Sequence, residues 1–358
     1  MTSSRPPRRP ADLPADAAKR PARRSRGTGR VRIEDVARAA GVSAQSVSRW
    51  LRDPAKLAPE TGRRIAAAVR DVGYVPNLIA GSLASNRSHV VAILVPTLAN
   101  PVHAGPVEGL SQALRPAGYQ VLVGTTDYQP DTEEALIRAF VARRVDGLVL
   151  TGSHLTTGSR RILKAAGIPV VQLWELPASP FDMAVGMSNP AIGARVARHF
   201  AERGHRQLAV VGHAEPSDTR SAGRVSGFVA ECARLGLPAP RVLEVPRPMA
   251  VRDAVPLLVE LRRGARPARA VFCTSGQLGI VLLLDARKLA IDVPGELAIV
   301  GFETALATVV VPNLSAVRIP VHELGFKAGE MLLRRMAGEA PAQRRVDTGF
   351  ELILRESS

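Results

Sequence analysis

Gln45 and Arg49 stand four residues apart in the stretch IEDVARAAGVSAQSVSRWL, Ile33 to Leu51, and so share one helical face. In the major groove of DNA an amide can grip adenine, and a guanidinium guanine, through paired hydrogen bonds. Ser46 and Ser48 carry short hydroxyls suited to phosphate oxygens. The elements that would position these groups are legible nearby. Ile33, Val36, Ala37 and Ala40 fall at i, i+3, i+4 and i+7, a single apolar stripe. Gly41 supplies the freedom for a sharp turn, Val42 can plug the gap between two helices, and Ser43 is a good N-cap. Val47 and Leu51 then form the apolar face of the second helix. The spacing predicts a DNA-reading helix-turn-helix. An amphipathic hairpin with a solvated polar face would show the same periodicity.

Charge points the same way. The formal net charge is +16, and residues 1–30 alone hold nine Lys/Arg against two acids. Residues 31–88 hold nine against five, so most of the excess lies in the first quarter of the chain. Such asymmetry implies a polyanionic partner at that end. The Pro/Arg-rich residues 1–30 have little to bury and read as a disordered basic tail. They suit either an electrostatic arm that adds salt-sensitive DNA affinity or a passive, solvated tail.

Other classes are disfavoured. Cys232 and Cys273 are too few and too isolated for a disulfide framework or a structural zinc site. No Gly-rich loop leads into Lys-Ser/Thr, no HExxH is present, and His199 and His205 are too loosely spaced to argue for a metal. No catalytic residue, cofactor or metal is therefore expected. The opening residues do not resemble a signal peptide, and no uninterrupted apolar span could cross a bilayer. The expectation is a cytoplasmic protein with no membrane partner.

The 358 residues can bury at least two sizeable cores, built from Leu, Val, Ile and Ala because aromatics make up only 4%. A third helix is expected from about Pro59 to Val72, packing through Ile65, Val69 and Val72. From Val90 onward short β-branched runs alternate with helical stretches. The runs are Val90–Val95, Gln120–Thr125, Val145–Leu150, Ile168–Leu173, Gln207–Gly212, Ala270–Thr274 and Leu297–Phe302, with helices near 102–117, 131–143 and 158–166. That order implies parallel sheets covered by helices on both faces.

The ordered string DVA…AGVS…SVSR…GY.PN, running through Pro54, Glu60, Thr61 and Gly73-Tyr74-Val75-Pro76-Asn77 to Ala80, Leu83 and Ser88, resembles the LacI/GalR family of bacterial transcription regulators. The resemblance covers roughly residues 31–356. Val145-Asp146-Gly147-Leu148, Leu150-Thr151 and Ala184-Val185-Gly186 look most like its gluconate-repressor branch. The resemblance implies an all-α helix-turn-helix headpiece at 31–76, a hinge helix at 77–88 and a periplasmic-binding-protein-like α/β core at 89–356. That core is expected to hold two doubly wound subdomains with a ligand cleft between them. Their crossovers should lie near Met187–Pro190, Val317–Pro320 and Gln343–Thr348.

By the same resemblance the DNA-binding residues are Ser43, Ala44, Gln45, Ser46, Ser48, Arg49, Asn77, Ala80 and Leu83. Paired Leu83 side chains would wedge between base pairs of a palindromic operator bound by a homodimer. Arg224, in Arg224-Val-Ser-Gly227, matches the R-x-x-G effector signature. Because open parallel sheets bind ligands beyond the carboxyl ends of their strands, the candidate effector residues are Asn100, Val102, His103, Asp127, Ser153, Asn189, Arg224, Ser275 and Glu303.

The sequence also departs from the family. Arg32 and Ala58 stand where helix caps are usual, and Gly62 is expected to interrupt the third helix, leaving a headpiece of marginal stability. Gly81 replaces a larger hinge residue and makes hinge folding more dependent on DNA. In the cleft, Ser188-Asn189, Ser275-Gly276 and Glu303-Thr304 replace residues richer in carboxylates and amides. Fewer carboxylates favour an anionic effector, such as the sugar acid gluconate, over a neutral sugar. The expected function is a DNA-binding repressor modulated by that effector. The alternatives are a regulator whose effector cleft has decayed and a sugar-binding protein.

Overall fold

The computed structural model describes residues 31–75, 87–214, 217–246 and 254–358. The chain divides into two compact units, Met1–Gly81 and Ser82–Ser358.

In the first unit, α1 (Ile33–Ala40), α2 (Ala44–Arg52) and α3 (Pro59–Asp71) enclose a small core of Val36, Ala37, Ala40, Val47, Ile65 and Ala68. Gly41 ends α1 in the left-handed region at φ 64, and Ser43 caps α2 by accepting from the Ser46 amide at 3.1 Å. One of the expected weaknesses is offset, and a further contact ties the end of α1. Arg32 makes no side-chain cap, but the Asp35 carboxylate accepts from its backbone amide at 2.9 Å, half of a capping box. Arg64 of α3 donates to the carbonyls of Ala40 and Gly41 and so satisfies the end of α1. Ala58 is without a side-chain cap, as expected.

The reading of Gly62 needs correction, since α3 runs through it unbroken. A Cβ there would sit 3.2 Å from the Trp50 indole nitrogen, so the small residue admits the Trp50 ring.

The second unit contains two six-stranded sheets of matching order. The first follows β2 (Gln120–Thr125), β1 (Val90–Val95), β3 (Gly147–Thr151), β4 (Val170–Leu173), β5 (Met183–Gly186) and β11 (Arg345–Asp347). The second repeats that pattern with β7 (Arg241–Val245), β6 (Leu208–His213), β8 (Ala270–Cys273), β9 (Ala298–Phe302), β10 (Ser315–Arg318) and β12 (Glu351–Ile353). All neighbours are parallel except β10 and β12. Most strands are apolar along their whole length because helices cover both faces. Each subdomain is a doubly wound sheet with its first strand second from the edge, which places a crevice at the carboxyl ends of the central strands.

The chain passes between the subdomains at 187–188, 319–320 and 348–350, so the third crossing begins at the end of the expected stretch. Crossover helices bind the halves of each subdomain. α7 (Asn189–Glu202) lies against α8 (Thr219–Arg234) so closely that a Cβ on Gly227 would overlap the Pro190 carbonyl. The core also runs two residues past the expected end. Ser357 donates from its hydroxyl to the Ile299 carbonyl at 2.6 Å, and the buried Ser358 hydroxyl meets His199 Nε2 at 3.0 Å.

Candidate nucleic-acid interface and effector cleft

On α2, Gln45 and Arg49 are exposed, with no side-chain partner among the described residues. Val47 between them is fully buried, so the face they share is turned away from the headpiece core. Ser48 is half-buried. Ser43 and Ser46 are tied to one another, their hydroxyls 2.9 Å apart. Ala44 is half-buried against the headpiece core and helps to seat α2. Asn77, Ala80 and Leu83 lie outside the described residues, as do the basic tail 1–30 and Gly81.

In the second unit a cavity of about 70 Å³ opens at the carboxyl ends of both sheets. Six candidates line it: Asn100, Val102 and His103 from the first subdomain, and Arg224, Ser275 and Glu303 from the second. Asn100 accepts from the Val102 amide at 3.2 Å and so fixes the turn after β1. His103 is buried, its ring meeting Trp174 edge-on at 5.9 Å. Ser275 caps the helix Gly276–Lys288, and its hydroxyl lies 3.2 Å from His213 Nε2.

Arg224 is the most constrained of the six. It is only 9% exposed. Its Nε donates to Asn189 Oδ1 at 2.8 Å, its Nη1 donates to the Thr274 carbonyl at 2.7 Å, and Cζ lies 4.1 Å from the Phe302 ring centre. Phe302 is itself braced by Phe272, which stacks on Phe228 with centroids 5.8 Å apart. The scarce aromatics of this chain are thus concentrated beneath the guanidinium, where cation–π attraction adds to the hydrogen bonds.

Three candidates are placed elsewhere than expected. Asp127 is exposed and off the cavity lining; its left-handed backbone (φ 50) passes the chain to Tyr128, which lines the cavity instead. Ser153 donates from its backbone amide to Glu175 at 2.5 Å and also lies off the lining. Asn189 is buried behind Arg224, where it orients the guanidinium.

Tyr128, Trp174, Asp218, Arg220 and Phe302 also line the cavity; none was among the nine effector candidates, although all but Asp218 lie in loops expected at the cleft. Arg220 had a readable signal, since it precedes Arg224 by one helical turn on α8. It is buried and pairs with Asp218 at 3.2 Å. Burial opposes its charge, but Asp218, Tyr128 and Glu175 outweigh that effect and hold its pKa above the ordinary value.

The acids around the cleft are already engaged. Asp218 faces Arg220, Glu175 accepts from the Ser153 amide, and Arg355 Nη2 donates to both oxygens of Glu303 at 2.8 and 2.9 Å. Arg224 is held by the Asn189 amide oxygen, the Thr274 carbonyl and the Phe302 ring.

Among the described residues no helix is long and apolar enough to cross a membrane. Two family models match the chain: bacterial regulatory proteins of the lacI family over residues 32–77, and a periplasmic binding protein-like domain over residues 197–358. The transcriptional regulator GntR of Pseudomonas aeruginosa is 37% identical over 336 residues, 93% of this chain and 97% of that protein. A solved LacI-family regulator from Silicibacter pomeroyi matches with a TM-score of 0.85 at 29% identity, covering 91% of this chain and 99% of the other. GntR from Chromobacterium violaceum gives 0.70 at 32% identity, covering 75% and 99%. With an exposed polar face on its second helix and a cleft between two doubly wound subdomains, this chain belongs to the LacI family: it is a DNA-binding transcription regulator, not an enzyme.

Proposed function

We propose that this regulator acts in the cytoplasm as a homodimeric repressor of a palindromic operator, and that its cleft takes an anionic, sugar-acid-like effector through Arg224. The observation that supports the effector class is the charge arrangement. Arg224 lines the cavity and is held by Phe302, Asn189 and the Thr274 carbonyl, while the acids of the lining are engaged, Glu303 by Arg355 and Asp218 by Arg220. A ligand carboxylate entering the cavity would meet a guanidinium already held in place by Asn189, Thr274 and Phe302, ready for a charge-assisted hydrogen bond. Asn100, Val102 and His103 come from the first subdomain and Arg224 and Ser275 from the second, so one ligand would touch both. Its affinity would then depend on how the subdomains sit, which is the differential binding that effector control requires.

The test is calorimetry on the full-length protein with gluconate and glucose, alongside operator binding with each. Gluconate is expected to bind and to change operator affinity, with glucose inert. Arg224→Ala should weaken gluconate about ten- to a hundredfold, the effect of losing one charge-assisted hydrogen bond. Arg224→Lys, which keeps the charge but loses the fork, should fall between the two. Binding of glucose with no heat from gluconate would overturn the anionic reading.

A further inference from the structure

Tyr128 and Arg220 line the site cavity on one side and a second chamber, of about 40 Å³, on the other. The first subdomain contributes Thr126, Gln129, Glu133 and Thr151 to that chamber, and the second contributes Thr219 and Arg220. The Ser217 hydroxyl donates to the Tyr128 carbonyl at 2.8 Å and joins the subdomains beside it. The volume suits roughly three water-sized groups. It would hold one end of a ligand rather than a whole one.

Glu133 is the unusual member. It lies in the first turns of α5 (Pro130–Ala142), half-buried, and its carboxyl takes no hydrogen bond or ion pair among the described residues. Asp218, Glu175 and Glu303 are each engaged by a cation or an amide, so Glu133 differs from the acids around it. Burial without a partner pushes its carboxyl up to about 7. Leaving a polar group half-desolvated is costly unless something supplies the missing hydrogen bonds. Thr126, Thr151 and Thr219 also line the chamber, so both subdomains bring hydroxyl-bearing residues to it.

We propose that the second chamber receives the hydroxyl-bearing end of an open-chain polyhydroxy acid, with Glu133 accepting hydrogen bonds from its terminal hydroxyls. This rests on the reading that the acid's carboxylate lies at Arg224. A six-carbon acid reaches past Tyr128 and Arg220 into the chamber, whereas a three-carbon acid fills only the Arg224 end. Glu133 is then a specificity-determining residue that selects for chain length, and its engagement draws the two subdomains together across the chamber.

The experiment measures gluconate and glycerate affinities of the full-length protein at pH 8, for the unaltered chain, Glu133→Gln and Glu133→Ala. The unaltered protein is expected to prefer gluconate. Both variants should reduce that preference about ten- to a hundredfold while glycerate affinity stays the same. An unchanged gluconate-to-glycerate ratio in both variants overturns the chamber assignment. So does an equal loss for both acids, because a residue that only supports the start of its helix would affect both alike. If neither acid binds the unaltered protein, the anionic-effector reading falls and this inference falls with it. Acids that bind through Arg224 with a ratio insensitive to Glu133 would overturn the chamber alone.

Discussion

Asn189 Oδ1 accepts from Arg224 Nε at 2.8 Å, while the Nδ2 of the same amide donates to the Trp174 carbonyl at 3.0 Å. One buried side chain therefore connects the cleft guanidinium on α8 with the end of β4 in the other subdomain. Trp174 is held in the left-handed region at φ 75, a costly conformation for a bulky residue. The arrangement gives the R-x-x-G signature two separate tasks. Arg224 faces the cavity, and Gly227 lets α8 approach α7 closely enough for Asn189 to reach Arg224.

Gly227→Ala tests that division. Alanine favours a helix over glycine by about 1 kcal/mol. Against this, its Cβ would overlap the Pro190 carbonyl, and overpacking of this kind costs about 1–3 kcal/mol. Net destabilisation is expected, read as a lower urea midpoint, together with weaker effector binding as Asn189 and Arg224 separate. A higher midpoint would mean the helices part at little cost.

Arg49→Ala is expected to cost about 1–3 kcal/mol on the operator and to relax specificity at one position per half-site. Gln45→Ala should act at a neighbouring position. Competition between operator and random DNA distinguishes the outcomes. Equal losses on both would make Arg49 a phosphate contact.

Arg64 donates to the carbonyls of Ala40 and Gly41 from a helix more than twenty residues away, so it holds α1 to α3. Arg64→Ala should destabilise the headpiece by about 1–2 kcal/mol, since charged donors contribute more than neutral ones. Arg64→Lys should recover only part of this because it cannot fork. Operator affinity followed against temperature would reveal the loss as an earlier fall; an unshifted curve would show the contact to be dispensable.

His199 predicts an acid sensitivity. Burial first, then Arg195 and Arg203, lower its pKa from 6.5 to about 4. Between those values the unfolded chain binds a proton that the folded chain refuses. Stability fully present above pH 6.5 is therefore lost as the pH falls toward 4, by at most about 3 kcal/mol. His199→Gln should flatten the change in urea midpoint between pH 7 and pH 5. An identical slope in the variant would assign the acid sensitivity to other groups.

The sequence by itself determined the local elements and the broad placement of the site. The stripe Ile33, Val36, Ala37, Ala40, the Ser43 cap and the Gly41 turn follow from helical periodicity and backbone sterics, which involve only neighbouring residues. The runs at Val90 and Gln120 became strands with the expected bounds for the same reason. Strand order then placed the cleft loops, because ligands gather at carboxyl ends in such sheets.

Only the tertiary structure decided which polar groups meet. Glu303 is neutralised by Arg355 from 52 residues away, and Arg224 is oriented by Asn189 from 35 away. No local pattern encodes such pairings, since they depend on how the two sheets and their helices come together. Asp127 and Tyr128 illustrate the limit. Both sit in one turn after β2 with left-handed backbones, and the fold alone sends Tyr128 into the cleft and Asp127 to the surface. Gly62 illustrates it again. Read locally it breaks a helix, but in three dimensions it makes room for the Trp50 indole, and packing outweighs a propensity penalty of about 1 kcal/mol.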